Sequence, residues 1–197
     1  GHPQLLGYIH DDEPDLPQQV NDANVIPAAH LAINRSTPLW KIVDGVTHSW
    51  SVLDPLENAA ITIQLQQPVT VERLAVWLTI SPGLAVAKEV VFEGDGKPLL
   101  TATLEAKKGR QELPLPAPAT FGELKLTVRS TYPGQNEWGS LSEIEGFDKA
   151  GQNVLLSPPR HEPRTAPEAV LAKYREIKAA DPERPVFMTV TGNFHPH

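Results

Sequence analysis

The clearest structural signal in this chain is the stretch Glu123-Leu124-Lys125-Leu126-Thr127-Val128-Arg129, in which polar and apolar side chains alternate. Because successive side chains of a β-strand point to opposite faces of a sheet, this alternation predicts a strand with one face on a core. Ala60-Ile61-Thr62-Ile63-Gln64-Leu65 alternates in the same way. The run from Arg73 to Ile80 is nearly all apolar, as expected of a central strand covered on both faces. Together these stretches predict a β-sheet core.

Further short apolar runs, separated by turn residues, continue through the middle of the chain. Residues 89–93 lead into Gly94-Asp95-Gly96, which is a hairpin signal. Residues 142–147 lead into the turn Asp148-Lys149-Ala150-Gly151. Evenly spaced short strands without helices between them are typical of a β-sandwich or jelly roll. The sequence therefore predicts a mainly β protein in which residues 33–158 form an antiparallel β-sandwich.

The two ends of the chain, residues 1–32 and 159–197, predict a different arrangement. The first opens with the apolar run 5–9, and the second combines an amphipathic helix over 166–179 with a buried strand over 186–190. Strand, helix and strand form a βαβ unit once the sandwich between them is set aside. The sequence therefore predicts a sandwich inserted into a loop of a β/α barrel, since such loops tolerate insertion.

This interpretation makes a specific structural prediction for the barrel-derived flanks. The two terminal strands should pair in parallel, as in a right-handed βαβ unit. The helix face that carries Leu171 and Tyr174 should pack against them.

Composition and charge narrow the classes of function. The 197 residues include no cysteine, which excludes disulfides and thiolate metal sites. A formal net charge of -7 argues against a nucleic-acid partner, because binding to phosphates needs clustered Lys and Arg. No apolar run is long enough to cross a bilayer, and the N-terminus lacks the pattern of a signal peptide. We therefore expect neither a nucleic-acid nor a membrane partner.

The middle of the chain resembles the discoidin family, also called coagulation factor five/eight type C, which shares its fold with galactose-binding carbohydrate modules. The resemblance rests on short motifs spread over the whole middle segment: Val43-Asp44-Gly45, Ser49-Trp50, Asn58, Ile61–Leu65, Val69–Trp77, Gly94-Asp95-Gly96 and Trp138–Ile144. It implies a galactose-binding-like jelly roll, a non-catalytic role in binding a glycan or polysaccharide, and a location outside the cell or in the periplasm.

The flanks resemble glycoside-hydrolase barrel sequence, in Leu6-Gly7-Tyr8 through Asp12-Glu13-Pro14-Asp15 and in the segment 179–186. This resemblance implies a larger parent enzyme in which Asp12 and Glu13 follow a barrel strand, where catalytic carboxylates belong. The remaining barrel strands are not in this chain. We therefore expect the chain itself to be no enzyme, with the rest of the parent barrel as a partner.

Sugar binding needs a flat apolar surface for the ring and polar groups for its hydroxyls. The segment from Tyr132 to Trp138 offers both kinds of group and lies between the last long strands. The predicted carbohydrate-binding residues are Tyr132 and Trp138 for apolar contact, His48 and Asn136 for hydrogen bonds, and Trp40.

The other tryptophans and the function itself leave alternatives open. Trp50 and Trp77 are expected in the core. Besides glycan binding, the middle segment is compatible with a structural insertion that packs on the barrel without a ligand of its own. A protein-recognition module is the third alternative.

Members of the discoidin family often hold a calcium ion between the early Asp-Gly loop and the late Ser-Glu-Ile strand. The resemblance implies Asp44, Ser49 and Glu143 as ligands of a structural calcium ion, whose preference is for oxygen donors. Here Val46 and Ser49 replace the family's usual polar residue and Thr, and the spacing from Asp44 to Trp50 is one residue short. The alternative is that Asp44 caps a turn and Glu143 accepts local hydrogen bonds.

Overall fold

The protein is described by a computed structural model that covers residues 6–12, 17–163 and 166–189. The chain divides into two compact units. The sandwich unit is Asn21–Pro159, and the terminal unit combines both chain ends, Gly1–Val20 and Arg160–His197. The sequence placed the corresponding boundaries at 33 and 158.

The described residues form twelve strands, one α-helix and one short 3-10 helix. In chain order they are β1 (Tyr8–Asp12), β2 (Pro17–Val20), β3 (Asn24–Pro27), β4 (Ala32–Ile33), the 3-10 helix (Leu39–Val43), β5 (Ser51–Asp54), β6 (Ala60–Leu78), β7 (Val86–Gly94), β8 (Lys97–Thr103), β9 (Gly109–Tyr132), β10 (Gly139–Phe147), β11 (Arg160–Pro163), α1 (Pro167–Ala180) and β12 (Val186–Thr189).

The sandwich unit is one hydrogen-bonded system with the strand order β4-β5-β10-β6-β9-β7-β8, and β3 pairs with β6 beside this path. The ladders between its named strands are antiparallel. The predicted antiparallel, mainly β architecture is therefore confirmed.

Strands β6 and β9 are longer than the alternating stretches in the sequence, since β6 continues through Pro68 and β9 through three prolines at 114, 116 and 118. Their shared ladder shifts register between Gln64 and Val69, and again between Val71 and Arg73. Bulges of this kind bend a strand and increase its twist. The first part of β6 pairs with β3 and its last part with β10, so one bent strand links distant parts of the unit.

The core is built from the alternating apolar positions that the sequence displayed. Leu124, Leu126 and Val128 of β9 are at most 1% exposed. Ile61 and Ile63 of β6 face the same core from the neighbouring strand. Burial of such side chains stabilises a fold by about 1.5–3 kcal/mol each before entropy is counted, which makes this core the main source of stability.

The outer face of β6, β9 and β10 carries a stacked cluster of arginine and aromatic side chains. The guanidinium carbons of Arg73 and Arg110 lie 4.4 Å and 4.6 Å from the ring centre of Phe147. Glu145 Oε2 accepts hydrogen bonds from Arg110 Nε at 2.8 Å and from Trp77 Nε1 at 2.9 Å. Trp77 therefore lies half-buried on the outer face of the sheet, not in the core as expected.

The two ends of the sandwich unit are held together. Asn21 Nδ2 donates a hydrogen bond to the carbonyl oxygen of Ser157 at 2.5 Å. Ser157 Oγ in turn donates to Asn21 Oδ1 at 2.9 Å. This reciprocal pair of hydrogen bonds, the Asn21–Ser157 clasp, joins the segment where the chain enters the sandwich unit to the segment where it leaves.

The terminal unit contains the predicted parallel pair. Strands β1 and β12 run parallel, with Tyr8 opposite Val186, and α1 lies between them in sequence. The Tyr8 hydroxyl and Arg184 Nε both donate to Asp181 Oδ2, at 3.2 Å and 2.8 Å, so the helix-to-strand turn is tied to β1. Strands β2 and β11 form a separate antiparallel pair. The parallel pairing of the chain ends is thus confirmed.

The expected packing of the helix face is wrong. Leu171 and Tyr174 are 51% and 43% exposed, and Phe187 of β12 is 57% exposed. A two-stranded sheet offers too little area to cover an apolar helix stripe, because stable sheets need more strands or further layers. Within the described residues, no helix combines the length and the hydropathy needed to cross a bilayer.

Candidate functional site

The loop between β9 and β10, residues 133–138, is held by neighbouring backbone. The amide of Leu56 donates to the carbonyl of Glu137 at 2.9 Å. The amide of Ala85 donates to the carbonyl of Trp138 at 3.1 Å. A loop fixed in this way presents its side chains with little ordering entropy left to lose on binding.

Asn136 and two glycines fasten the same loop to the segment that precedes β7. The backbone amide and the side-chain amide of Asn136 both donate to the carbonyl of Gly83, at 2.9 Å and 3.1 Å. A Cβ atom on Gly134 or Gly139 would overlap the backbone of Ala85. The close approach explains why glycine occupies both positions.

Trp138 is half-buried and lines a cleft of about 400 Å³. We call this the tryptophan cleft; its other lining residues are Ala32, Ile33, Asn34, Val52 and Asp54. The ladder between β10 and β5 explains the arrangement, since Gly139 pairs with Leu53 and the preceding Trp138 therefore lies beside Asp54. The pairing of Ala32 with Asp54 adds β4 to the same wall.

Two of the three side-chain polar groups of Asn34 and Asp54 in the tryptophan cleft are available to a ligand. Asn34 Oδ1 accepts hydrogen bonds from the amide and the hydroxyl of Ser36, at 2.9 Å and 2.7 Å. Within the described residues, the amide nitrogen of Asn34 and the carboxylate of Asp54 make no hydrogen bond of their own. The cleft thus offers an aromatic side chain, a donor and a charged acceptor, which are the kinds of group that contact sugar rings.

The other predicted sugar-binding residues do not line this cleft. The Tyr132 hydroxyl donates to the carbonyl of Leu104 at 3.1 Å, and Lys88 Nζ lies 5.3 Å from the Tyr132 ring centre, so this ring is engaged in packing. His48 is exposed on the loop after the 3-10 helix, and Trp40 is half-buried within that helix. Asn136 lines a second cleft of about 560 Å³ between the segments at 55–57 and 131–137.

Sequence reasoning missed Asn34 and Asp54. The signals present were an Asn two residues before a Ser, which favours a side-chain turn, and an Asp at the end of a strand. Neither indicates a ligand site until the β4–β5–β10 pairing brings both residues to Trp138. A larger cleft, about 650 Å³ between β3, β6 and residues 154–158, has no aromatic side chain among its described lining residues and so lacks a stacking surface.

Asp44 and Glu143 form a buried acidic pair, at 3% and 0% exposure. The amide of Gly45 donates to Glu143 Oε1 at 2.8 Å, and the amide of Val46 donates to Asp44 Oδ1 at 2.7 Å. Ser49 Oγ lies 3.3 Å from Asp44 Oδ2. The three residues predicted as calcium ligands therefore lie together.

The electrostatics of the pair call for a cation or a proton. Burial raises the pKa of Glu143 to about 8, with the neighbouring Asp44 charge adding to the effect. Burial also raises the pKa of Asp44 above its ordinary value. Among the described residues, the buried Glu143 Oε2 has no hydrogen-bond partner. Such an oxygen is costly unless something positive approaches it.

The donor set fits calcium in kind. Two carboxylates and a hydroxyl are hard oxygen donors contributed by two distant segments, as calcium prefers. Within the described residues, no cluster of three or more His, Cys, Asp or Glu side chains converges, so further ligands would have to be carbonyl or water oxygens. The local hydrogen bonds of the alternative interpretation are present as well, since both carboxylates accept backbone amides.

The remaining predicted positions lie elsewhere. Trp50 is 43% exposed, so its expected burial is wrong. Its loop runs along the surface between the 3-10 helix and β5. Asp12 ends β1, at the C-terminal end of a parallel strand as predicted. Glu13 lies outside the described residues.

The fold is a galactose-binding-like β-sandwich of the kind found in family 32 carbohydrate-binding modules. The chain is similar to the family 32 module of Clostridium perfringens NanJ in complex with galactose, at a TM-score of 0.54 and 12% identity over 66% of this chain and 98% of that one. It is also similar to the module CpGH89CBM32-5 from Clostridium perfringens in complex with GalNAc-β-1,3-galactose, at 0.52 and 11%, over 66% and 100% of the two chains.

A third similar structure is module CBM32-1 from a family 31 glycoside hydrolase of Clostridium perfringens, at a TM-score of 0.50 and 14% identity over 64% of this chain and 94% of that one. No family model and no curated protein matches the sequence. The structural similarity confirms the predicted fold, and at these identities it speaks for the fold alone.

Proposed function

We propose that the sandwich unit is a non-catalytic carbohydrate-binding module whose sugar site is the tryptophan cleft. The observation that supports this most directly is the juxtaposition of Trp138 with Asp54 and Asn34. The indole face would cover the apolar side of a sugar ring. Asp54 would accept hydroxyl protons, and the amide nitrogen of Asn34 would donate to ring or hydroxyl oxygens.

The neighbouring residues have supporting roles in this proposal. Asn136 positions the Trp138 loop through Gly83, and Tyr132 anchors the end of β9 through Leu104. His48 and Trp40 are left outside the site. The similar structures with galactose or GalNAc-β-1,3-galactose bound make galactose-type sugars the first ligands to test.

Replacement of Trp138 by Ala tests the site. A shallow, solvated site is expected to bind a monosaccharide weakly, and a Kd near 1 mM corresponds to only about 4 kcal/mol. Loss of the stacking face should weaken binding at least about tenfold, which requires about 1.4 kcal/mol. Titration calorimetry or ligand-observed NMR with galactose and GalNAc measures the change.

Trp50→Ala is the matched control, since Trp50 is exposed and lies at the opposite end of β5 from Asp54. It should leave the affinity unchanged. If the unaltered protein binds neither sugar at high millimolar concentration, or if W138A and W50A bind equally well, a structural insertion without its own ligand replaces this proposal.

We further propose that Asp44, Ser49 and Glu143 hold a structural calcium ion. The unpartnered Glu143 Oε2 supports this, because a divalent cation would satisfy that oxygen and remove the repulsion between the two carboxylates. The ion would join the loop after the 3-10 helix to β10 and would take no part in sugar contact.

The terminal unit supports a proposal about the parent protein. Its parallel β1–β12 pair and the exposed Leu171, Tyr174 and Phe187 suit a fragment of a larger β/α domain, since parallel strands are normally covered on both faces. We propose that the sandwich is inserted into a glycoside-hydrolase-like barrel, with the rest of that barrel as its partner, in a protein located outside the cell or in the periplasm. Asp12 and Glu13 would then belong to the catalytic edge of the parent enzyme.

A further inference from the structure

A further cleft, distinct from the one lined by Asn136, adjoins the tryptophan cleft. It measures about 420 Å³ and shares two lining residues, Ile33 and Asn34, with the tryptophan cleft. We call it the arginine cleft; its other lining residues are Val25, Pro27, Arg35, Pro38 and Leu39. The two clefts therefore lie on either side of one short segment, at the end of β4.

The turn after β4 places Arg35 at the edge of this cleft. The amide of Thr37 donates to the carbonyl of Asn34 at 3.0 Å, which closes a turn over residues 34–37. Asn34 Oδ1 accepts from the amide of Ser36 and tightens the same turn. Thr37 Oγ1 accepts from the amide of Val52 at 3.3 Å, which ties the turn to β5. Arg35 thus projects from an ordered turn.

The charge distribution of the paired clefts is asymmetric. Among the described residues that line the arginine cleft, Arg35 is the one charged side chain and none is a carboxylate. Within the described residues, Arg35 has no ion-pair or hydrogen-bond partner, although the chain as a whole carries a net charge of -7. The tryptophan cleft, in contrast, contains the carboxylate of Asp54.

We propose that the two clefts bind successive units of an anionic glycan, with an uncharged ring on Trp138 and a carboxylate or sulfate group at Arg35. This inference rests on the proposed sugar site. A guanidinium recognises a carboxylate or sulfate through two parallel N–H donors, which a neutral hydroxyl cannot match. Asp54 repels an anion from the tryptophan cleft, so the ligand is held in one orientation.

Three oligosaccharide probes separate the contribution of the anionic group from that of the uncharged rings. They are lactose, 3′-sialyllactose with a carboxylate, and 3′-sulfolactose with a sulfate. Calorimetry on the full chain at low ionic strength should show one or both anionic probes binding about fivefold more tightly than lactose, which corresponds to about 1 kcal/mol. The preference should shrink in 0.5 M salt, where the Debye length falls to about 4 Å. Whichever anion gains more identifies the group that Arg35 binds.

Arg35→Gln should abolish the preference for the anionic probes and leave lactose affinity unchanged, while Arg35→Lys should retain part of the preference. Arg129→Gln is the matched control, because Arg129 is exposed on β9 and lines neither cleft. An anionic preference that survives in R35Q overturns this inference, as does equal affinity of the unaltered protein for all three probes. If lactose binds and depends on Trp138 in that case, the sugar site itself stands. If none of the three probes binds, both proposals fall together.

Discussion

The buried pair Asp44 and Glu143 shows how two side chains can make the stability of the sandwich depend on solution conditions. In calcium-free protein, burial raises the folded-state pKa of Glu143 from 4.5 to about 8. The folded protein therefore binds a proton more tightly than the unfolded chain does. The stabilising contribution is complete below about pH 4.5 and is lost as the pH rises through 8.

We predict that the chain in EDTA melts at a progressively lower temperature between pH 5 and pH 8. Calcium at pH 8 should reverse the loss, since a ligand present at about 100 times its Kd stabilises the folded state by about 2.7 kcal/mol. For a chain of this length each kcal/mol shifts the melting temperature by about 2–4 °C. Differential scanning calorimetry across pH, with and without calcium, measures both effects.

Glu143→Gln should abolish the calcium response and flatten the pH dependence, while the exposed Glu105→Gln should change neither. If calcium leaves the melting temperature unchanged at every pH, the proposal of a calcium ion at this site is wrong. A flat profile in EDTA would show that Glu143 does not hold a raised pKa.

At the scale of the strands, the stability of the side-chain cluster on the outer face of β6, β9 and β10 depends on the ring of Phe147. Phe147 is only 8% exposed, and the guanidinium carbons of Arg73 and Arg110 lie 4.4 Å and 4.6 Å from its ring centre. We predict that Phe147→Ala destabilises the protein by about 3 kcal/mol, the usual loss for removing a buried Phe. Urea denaturation followed by circular dichroism measures it.

Phe147→Leu separates the two causes of this loss. It keeps most of the buried area but removes the ring face, so it should lose only about 1–2 kcal/mol, in line with two partly exposed cation–π contacts. Equal losses for Ala and Leu would assign the whole effect to the cation–π contacts. Sugar affinity should be unchanged in both variants, since this face is not part of the tryptophan cleft.

The strands themselves could be predicted well, because the period-two alternation around residues 61–65 and 124–128 reflects burial on one face. The continuity of β6 through Pro68 could not be predicted, since local rules place a strand break at proline. The structure accommodates Pro68 through the register shift between Gln64 and Val69 in the ladder with β9. The burial of Trp50 was also misjudged, because a motif match does not reveal which side of a loop faces water.

The candidate site could be predicted only in part. Trp138 was indicated by the aromatic and polar residues of its loop, and the three predicted calcium ligands followed from the motif resemblance, which places them by sequence order. Asn34 and Asp54 could not be found, because their approach to Trp138 depends on ladders between strands far apart in sequence. Site residues gathered by such long-range pairing leave no local spacing to recognise.

At the scale of the whole molecule, the division into two units makes a prediction about independence. The sandwich unit has its own core, and the exposed apolar side chains Leu171, Tyr174 and Phe187 belong to the terminal unit. We predict that residues 21–159 produced alone fold cooperatively, with a melting temperature within about 4 °C of the full chain, equivalent to about 1–2 kcal/mol at this size. They should also retain the full sugar affinity.

Proton NMR dispersion and calorimetry test this, with the full chain measured in parallel. A molten or aggregated product would show that the sandwich needs the terminal strands for its stability. Retained folding with lost sugar affinity would instead place part of the binding site in the terminal unit.

The Asn21–Ser157 clasp has a consequence for how such a sandwich can travel between proteins. The residues by which the chain enters and leaves the sandwich unit are joined by two hydrogen bonds. The two ends of a host chain that carries this unit would therefore be separated by no more than the distance between two residues in contact. The entropy cost of closing the host loop is then nearly independent of the number of inserted residues, because the folded sandwich unit already holds its own ends together. A unit of this geometry can be transplanted into an exposed turn of an unrelated scaffold without stretching that turn.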